Sequence, residues 1–300
     1  MTVGNCSTTI QRRNRSMEKA RPSVRANGRD RIIGLIGAGN MGRAIARRLV
    51  TGGHTVYLAD TDAEKLKSVA SEIAAFGPGL VQPVATGAAA VESEMVVLAT
   101  RYHESTRVAV ELSDVLRGKV VIDISNPLND TFNDLVTDPT ASAAEEIQRR
   151  LKGAHVVKAF NTTFAPVLFA GQLDGVDLDV FLASDYADAK AQVDTLLRPC
   201  GLRPIDAGAL KNARTLERMT LLWIELQGRY GLDFQATLKF LPSQVGAVAV
   251  EKPPEVLGNG GVATSDLQAQ VNALKTRVAN LDARLESMSA AFRRVAERAR

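Results

Sequence analysis

The chain has 300 residues, of which 45% are hydrophobic and 23% are charged, as in globular proteins of one or two domains. Its apolar runs are too short for a membrane-spanning helix, and residues 1–30 contain no apolar block of the secretory type. We therefore expect a cytoplasmic protein that does not contact a membrane. The two cysteines, Cys6 and Cys200, lie far apart, which excludes a disulfide framework and a zinc site.

The net charge of +4 is concentrated at the N-terminus. Residues 1–31 hold eight Lys/Arg and two Asp/Glu, whereas the remaining 269 residues sum to −2. Residues 1–30 have no hydrophobic periodicity, so we predict a disordered basic arm, with a tether for an anionic partner as the alternative. The rest of the chain lacks the basic surface that a nucleic-acid partner requires.

The folded part of the chain is predicted to begin at residue 31. A buried-strand run covers residues 32–36 and is followed at once by Gly37. Apolar residues then recur at helical spacing between Met41 and Leu49, and a second strand covers residues 54–60. Strand, glycine turn, helix and strand in this order predict a βαβ unit.

The alternation of strands and helices continues to residue 230. Further strands are predicted at residues 94–100, 119–124, 155–159, 180–183 and 203–205. Helices are predicted at residues 63–76, 105–116, 141–151, 187–197 and 210–230. Near-continuous Val/Ile/Leu strands between helices favour an α/β fold with a Rossmann-type, doubly wound parallel sheet. We assign residues 31–241 to this domain, with a small C-terminal extension.

The C-terminal part of the chain has a different composition. Residues 242–264 are rich in Pro and Gly and are predicted to form a linker. Residues 265–300 carry a heptad pattern with valines such as Val271 at position a and leucines such as Leu274 at position d. This pattern favours a parallel two-stranded coiled coil and hence a homodimer. A single helix that packs on its own domain is the alternative.

A motif of the form GxGxxG follows the first predicted strand. It consists of Gly37, Ala38, Gly39, Asn40, Met41 and Gly42. Gly37 permits the tight turn, Gly39 lets the backbone approach a pyrophosphate, and Gly42 lets the helix pack closely on the sheet. The N-terminus of the helix then presents free N–H groups to the phosphates. We predict that the motif binds a dinucleotide rather than forming a glycine turn without a ligand.

The second strand ends at an acidic residue of the kind that accompanies such motifs. Asp60 stands 21 residues after Gly39. A carboxylate at this place binds the ribose hydroxyls of NAD and repels the 2′-phosphate of NADP. Thr61 follows, and Lys65 lies one turn onward, where it partly offsets the negative charge. The sequence therefore favours NAD over NADP, with capping of the next helix as the alternative role of Asp60.

Four segments resemble a known family in the order in which they occur. They are IGLIGAGNMGRAIARRL, GKVVIDISNPLN, SAAEEIQRRLKGAHVVKAFNT and GLRPIDAGALKNARTLE. Residues 31–241 resemble the NADPH-dependent coenzyme F420 reductase family and the reductase domain of the six-transmembrane ferric reductases. The resemblance implies a Rossmann domain, usually dimeric, that transfers hydride between a nicotinamide and a deazaflavin or flavin ring. Such a transfer needs no protein nucleophile or metal, so we assign no catalytic residue and no metal ligand.

The resemblance also implies roles for individual residues. The phosphate loop lies within the glycine-rich motif, and Thr100 stands where the family approaches the dinucleotide. The backbone of Ala159 would hold the nicotinamide amide. Asn161 and Thr162 would border the cleft in which the two rings stack, with an ordinary strand-end turn as the alternative.

The chain departs from the family pattern at two places. Asp60 and Thr61 stand where NADP-specific members have Ser-Arg, which again favours NAD. Thr100 and Arg101 stand where the family usually has an aliphatic residue and Pro. We expect Arg101 either to bind an anionic substrate or to be a surface charge. His103 is expected to cap or pack rather than to donate a proton.

These features favour an oxidoreductase that transfers hydride between NAD(P) and coenzyme F420. The alternatives are a reductase of a flavin, ferric chelate, imine or unsaturated metabolite, and an NAD(H)-sensing oligomeric scaffold, because a fold does not determine the substrate. Apolar residues near the C-terminal end of the match form either the floor of the second-ring site or a dimer core. These residues are Leu222, Trp223, Tyr230 and Phe234.

Overall fold

The computed structural model describes residues 30–242 and residue 272. The predicted basic arm, apart from residue 30, lies outside the described residues. The predicted linker and the predicted coiled coil also lie outside them, apart from Pro242 and Asn272. These three assignments therefore stay predictions.

A six-stranded parallel sheet forms the centre of the domain. Its strands are, in chain order, β1 (Ile32–Ile36), β2 (Thr55–Ala59), β3 (Leu80–Pro83), β4 (Met95–Leu98), β5 (Val120–Asp123) and β6 (His155–Lys158). In space the order is β3-β2-β1-β4-β5-β6, so the direction in which strands are added reverses between β1 and β4. In open α/β sheets a ligand binds at such a reversal, beyond the carboxyl ends of the strands.

Helices cover both faces of this sheet. They are, in chain order, α1 (Asn40–Thr51), α2 (Ala63–Ile73), α3 (Thr86–Val91), α4 (Tyr102–Glu111), α5 (Ala143–Arg150), α6 (Ala165–Ala170), α7 (Ala187–Leu197) and α8 (Ala213–Tyr230). Successive strand residues alternate between two buried layers: Ile33 and Leu35 lie in the layer that contains α1, and Ile36 lies in the layer that contains α4. The doubly wound, Rossmann-type α/β fold predicted from the sequence is therefore confirmed.

A smaller sheet forms the C-terminal extension. It consists of β7 (Gln172–Leu173), β8 (Val176–Leu182) and β9 (Leu202–Asp206). β7 is antiparallel to β8, and β8 is parallel to β9, with α7 as the crossover helix. Lys158, at the end of β6, forms an antiparallel bridge with Ala183, directly after β8. This bridge joins the small sheet to the edge of the large one.

The structure corrects several predicted boundaries. α2 ends at Ile73 rather than at residue 76, because residues 74–79 form turns around Pro78, which cannot continue a helix. α4 spans Tyr102–Glu111 rather than residues 105–116. The helix predicted to begin at residue 210 begins at Ala213, after a separate 3₁₀ turn at Leu210–Asn212.

The elements that the sequence analysis did not identify are short. α3 and α6 have six residues each and β7 has two, which is too short for a clear hydrophobic pattern, and β3 has no buried residue among its four. α6 nevertheless packs closely on α1, next to the glycine-rich motif. Within the described part of the chain, no helix combines the length and the apolarity needed to cross a membrane.

Candidate functional site

The carboxyl ends of five central strands lie in one row. The register of the sheet places Ala59, Ile36, Leu98, Asp123 and Lys158 side by side across β2, β1, β4, β5 and β6. Four strand spacings of about 4.8 Å make this row about 19 Å long. The predicted site residues directly follow these strand ends, so the fold brings them to one edge of the sheet.

The glycine-rich turn has the geometry that its glycines require. Gly37 has a φ of +111°, which L side chains rarely adopt. A Cβ on Gly42 would collide with the carbonyl oxygen of Gly37, so the helix can begin this close to the turn only without a side chain. A Cβ on Gly39 would have no described atom within 4 Å. The backbone at Gly39 is therefore open to a ligand.

The first turn of α1 presents unpaired amide groups. Among the described residues, the N–H groups of Asn40, Met41 and Gly42 have no hydrogen-bond partner, and the first bond of the helix runs from Arg43 N–H to the Gly39 carbonyl at 2.8 Å. No acidic residue lies in this turn. Free N–H groups and the positive end of the helix dipole together favour an anion at this place.

Asp60 lies directly beside the glycine-rich turn. One carboxylate oxygen accepts a hydrogen bond from Ala38 N–H at 2.7 Å. The other oxygen accepts one from Asp62 N–H at 2.9 Å and pairs with Lys65 Nζ at 2.9 Å. Asp62 is the residue that caps α2, because its side chain accepts hydrogen bonds from the N–H groups of residues 64 and 65. Asp60 instead joins the end of β2 to the glycine-rich turn.

The Asp60 carboxylate is ionised and held in place. Burial by itself would raise the pKa of Asp60, but hydrogen bonds from Asp62, Lys65 and Ala38 hold that pKa below its usual value. The Asp60 side chain is 8% exposed, whereas the Lys65 side chain is 42% exposed. Thr61 is also exposed. A ligand at this corner would therefore meet a fixed carboxylate, an accessible threonine and a lysine that can move.

Of the residues that follow β4, Thr100 contacts α4, whereas Arg101 and His103 are exposed to solvent. The Thr100 hydroxyl shares a hydrogen bond of 2.8 Å with the Oγ of buried Ser105, and its methyl group lies close to Gly37. Arg101 is exposed, and its guanidinium makes no ion pair or hydrogen bond with any described residue. His103 is exposed in the first turn of α4 and contacts the ring of Tyr102, with centroids 4.9 Å apart.

The turn after β6 is buried and has an uncommon backbone conformation. Phe160 has a φ of +61° and is 1% exposed. Such a conformation costs about 1–3 kcal/mol and persists where the surrounding structure determines it. The Ala159 N–H donates to the Asp123 carbonyl at 3.0 Å, so it is not available to a nicotinamide amide. The Ala159 carbonyl accepts no hydrogen bond from the described residues, so it is the backbone group of this residue left for the amide, although Ala159 is 0% exposed.

Side chains from the segment after β5 and from α8 hold this turn. Asn126 Nδ2 donates to the Asn161 carbonyl, and Asn161 Nδ2 donates to Asn126 Oδ1, each at 3.0 Å. The Thr220 hydroxyl of α8 donates to the same Asn161 carbonyl at 3.0 Å. Asn161 Oδ1 is buried and has no hydrogen-bond partner within residues 30–242. Unpaired buried oxygens are uncommon, which marks this turn as a candidate ligand contact.

A buried charge cluster adjoins the turn, and the sequence analysis did not identify it. The side chains of Lys158, Asp123 and Glu217 are all 0% exposed. Lys158 Nζ donates to Asp123 at 2.8 Å, to Glu217 at 2.7 Å and to the Ser125 carbonyl. Burial by itself would lower the pKa of Lys158, but the two carboxylates raise it above its ordinary value, so the ammonium stays charged. The signal in the sequence is a lysine that directly follows two buried valines, Val156 and Val157, at the end of a strand.

A cavity of about 400 Å³ lies beside the glycine-rich turn, between α1 and α6. It is lined by Asn40, Arg43, Ala165, Pro166 and Phe169. The Arg43 guanidinium pairs with Glu72 and lies over the Phe169 ring at 4.2 Å from its centroid. The residues predicted to border the acceptor, Arg101, Asn161 and Thr162, do not line this cavity.

The apolar residues predicted to form either the floor of the second-ring site or a dimer core lie on α8 or in the segment after it. Leu222 and Tyr230 are exposed, and Trp223 is half-buried. The Phe234 ring contacts the Phe164 ring edge-on, with centroids 5.1 Å apart. Phe164 directly precedes α6, so Phe234 reaches the segment that follows the buried turn.

Comparisons with known proteins identify relatives of the sheet domain. Residues 32–127 match the family model for coenzyme F420-dependent NADP oxidoreductases. The chain is 33% identical over 207 residues to the F420-dependent NADP reductase of Methanothermobacter marburgensis, covering 65% of this chain and 92% of that protein. It is 32% identical over 189 residues to metalloreductase STEAP3 of Rattus norvegicus, covering 63% of this chain but 36% of that protein. The match to the metalloreductase therefore concerns about a third of its length.

A solved structure has the same fold at similar identity. The crystal structure of a proposed F420-dependent NADP reductase from an Arthrobacter species superposes with a TM-score of 0.59 at 31% sequence identity. The match covers 67% of this chain and 95% of that chain. The similarity therefore extends over a complete domain rather than over the glycine-rich motif alone.

Proposed function

Because the chain belongs to the family of F420-dependent NADP oxidoreductases and is an NAD(P)-dependent oxidoreductase, we propose that it transfers hydride between NAD and a deazaflavin of the coenzyme F420 type. The observation that carries the choice of NAD is the buried Asp60 carboxylate, which is hydrogen-bonded to the glycine-rich turn. The choice of a deazaflavin is supported by the similarity to F420-dependent NADP reductases, and the assay described below tests it.

In this proposal the dinucleotide lies along the row of strand ends. The adenosine ribose binds Asp60, and the diphosphate binds the free N–H groups at the start of α1. The nicotinamide amide donates to the Ala159 carbonyl, with Thr162 beside it. The reversal of strand order between β1 and β4 supports this placement, because it opens a crevice in the middle of the row.

The reaction moves a hydride, with its electron pair, from the reduced nicotinamide to the deazaflavin ring, which takes up one proton from water. The rings supply this chemistry themselves. The protein contributes binding and orientation, since holding two reactants in contact replaces an encounter in solution. Arg101 supports an acceptor with an anionic group, because its guanidinium is exposed and has no partner among the described residues.

The preference for NAD follows from charge at the corner formed by Asp60 and Thr61. An NADP 2′-phosphate placed there would lie against a carboxylate whose pKa is held below its usual value. Lys65 offsets part of this repulsion, but the lysine already pairs with Asp60. A phosphate would have to displace Asp60 from that pair, whereas a ribose hydroxyl can donate to the carboxylate as it stands.

The double substitution Asp60→Ser with Thr61→Arg tests this assignment. It removes the carboxylate and adds a guanidinium, so we expect the ratio of kcat/KM for NADPH to that for NADH to rise about 10- to 100-fold, as gain of a charge-assisted hydrogen bond predicts. The matched control is Glu64→Lys, which makes the same change in net charge on the exposed face of α2. An unchanged ratio in the double variant, or an equal rise in the control, would contradict the role of Asp60.

The acceptor is tested in a spectrophotometric assay. The full chain is mixed with NADH and oxidised coenzyme F420, and the loss of deazaflavin absorbance is followed, with a flavin in parallel. Turnover with F420 and not with flavin supports the proposal. Binding of NADH without turnover on either ring would overturn it and favour a reductase of another substrate.

A further inference from the structure

A fully buried lysine connects three elements at the edge of the sheet that holds the candidate site. Lys158 ends β6, Asp123 ends β5, and Glu217 lies in the second turn of α8. The three side chains are 35 and 59 residues apart along the chain and are all 0% exposed. The cluster therefore ties the C-terminal helix to the ends of two central strands.

Every charged atom of the cluster has a partner. All three protons of the Lys158 ammonium are donated, to Asp123, Glu217 and the Ser125 carbonyl. The second oxygen of Asp123 accepts hydrogen bonds from Ser125 N–H and Oγ, and the second oxygen of Glu217 accepts one from Ala143 N–H at 3.1 Å. A network satisfied in this way permits a single arrangement of the elements that it joins.

Two of these elements, β5 and α8, also hold the turn that follows Lys158 at the end of β6. The Asp123 carbonyl accepts from Ala159 N–H, next to Lys158 in the chain. Thr220 lies three residues after Glu217 and donates to the carbonyl of Asn161. Between these two attachment points Phe160 has a φ of +61°. The turn is thus held on one side by the residues of the charge cluster and on the other side by Thr220 and Asn126.

We propose that Lys158, Asp123 and Glu217 are positioning residues that hold the turn at residues 159–162 in the conformation that binds the nicotinamide half of the dinucleotide. The inference rests on the proposed function, because that function assigns the nicotinamide amide to the Ala159 carbonyl. The three residues touch neither ring and act through the backbone of Ala159 and Phe160. The adenosine half, at Asp60 and the glycine-rich turn, does not depend on them.

A purely stabilising role would not require charge at this place. Burying three charged groups has a desolvation cost that the attraction between them often only balances, and apolar residues of similar volume can be equally stable. What the charges add is a fixed geometry, since the donors of the ammonium and the acceptors of the carboxylates fit in one arrangement. A strained turn beside a ligand site benefits from that property.

The test compares two ligands that differ only in the nicotinamide. Affinities of the full chain for NADH and for ADP-ribose, which lacks the ring, are measured by titration calorimetry. In Glu217→Gln, which keeps the shape of the side chain and removes its charge, we expect the affinity for NADH to fall about tenfold, as loss of one hydrogen bond to the ring predicts. We expect the affinity for ADP-ribose to stay within about twofold, because the contacts of the adenosine half are unaffected.

Two further variants complete the experiment. Thr220→Val removes one of the two side-chain hydrogen bonds to the Asn161 carbonyl without changing a charge, and the bond from Asn126 remains. It is expected to show the same selective loss, so it provides the test if Glu217→Gln does not fold. Asp179→Asn is the matched control, because it also removes the charge of a buried, salt-bridged carboxylate, but in the small sheet. The control should change neither affinity.

The outcomes separate this inference from the proposed function. If the wild-type chain binds NADH more tightly than ADP-ribose and the variants keep that difference, the positioning role is wrong and the proposed function stands. If both ligands lose affinity equally in the variants, the cluster is structural and the inference is again overturned. If the wild-type chain binds both ligands equally, the nicotinamide is not held by this turn, and the placement given under the proposed function fails first.

Discussion

Two buried charge clusters stabilise different parts of the domain, and they are built in opposite ways. The cluster at the end of β6 encloses the ammonium of Lys158 between two carboxylates, and all three side chains are 0% exposed. In the small sheet the buried charge is the carboxylate of Asp179, on β8. Its partners Arg203 and Lys239 reach the surface, with side chains 35% and 20% exposed.

The two clusters differ in the charges that are left without a partner when one charged side chain is removed. A cation that reaches the surface can turn to water, so the partners of Asp179 are not left without hydrogen bonds. The carboxylates around Lys158 have no such route, and an uncompensated buried charge is strongly destabilising. The enclosed cluster adjoins the turn proposed to bind the nicotinamide, whereas the Asp179 cluster joins β8 and β9 to the segment after α8.

The largest loss of stability is expected from Lys158→Met. The substitution leaves two carboxylates buried without their cation, so we expect the free energy of unfolding to fall by about 3–5 kcal/mol. Urea-induced unfolding measures this loss. Adding Asp123→Asn and Glu217→Gln to the variant should restore part of the stability, because the stranded charges are then removed. An unchanged unfolding midpoint in Lys158→Met would show that the cluster is not enclosed as described.

A smaller effect is expected from Asp179→Asn. The substitution removes a buried anion, but Arg203 and Lys239 can be solvated, so we expect a loss of about 1–3 kcal/mol in the free energy of unfolding. The same urea titration compares this variant with Lys158→Met. A loss as large as that of Lys158→Met would mean that exposure of the partners does not matter, and the contrast between the two clusters would fail.

The smallest expected effect is a change with pH in the contribution that each cluster makes to the free energy of unfolding. Burial by itself would raise the pKa of Asp179, but hydrogen bonds from Arg203 and Lys239 hold it below the ordinary value of 3.8. The unfolded state then binds more protons than the folded state at acidic pH. The contribution of Asp179 is therefore present above pH 3.8 and is lost as the pH falls through the lowered pKa.

The stability difference between the wild-type chain and Asp179→Asn should accordingly shrink below pH 3.8. Lys158 behaves in the opposite sense, because its raised pKa makes its contribution present below pH 10.5 and lost only as the pH rises further. Unfolding in urea at acidic, neutral and alkaline pH measures both trends. A difference between the wild-type chain and Asp179→Asn that is the same at pH 3 as at pH 7 would contradict the first.

The end of the candidate site that is proposed to bind the adenosine half was predictable because it depends on residues close together in the sequence. The glycine-rich turn lies between a strand and a helix that follow one another directly, and Asp60 ends the next strand. The structure adds that the Asp60 carboxylate accepts a hydrogen bond from Ala38 N–H in the turn itself, and that Asp62 is the residue that caps α2. Both details depend on side-chain directions that spacing does not define.

The other end of the site was predictable only in part. A resemblance to a family indicated Ala159, Asn161 and Thr162, and the structure brings them into one turn. It also shows that the Ala159 N–H is already bonded to the Asp123 carbonyl, so the proposed contact with the nicotinamide amide uses the Ala159 carbonyl. The partners Asn126 and Thr220 come from a distant strand end and a distant helix, so no local pattern could have indicated them.

The sequence by itself determined the alternation of strands and helices, the glycine-rich turn and the acidic residue, Asp60, that bonds to it. These features follow from hydrophobic periodicity and from spacing over a few tens of residues. Only the tertiary structure decided that Lys158 is buried between Asp123 and Glu217, because its partners lie 35 and 59 residues away and meet it only where β5, β6 and α8 converge. A lysine is identical in the sequence whether it faces water or a carboxylate, and packing alone decides which of the two it faces.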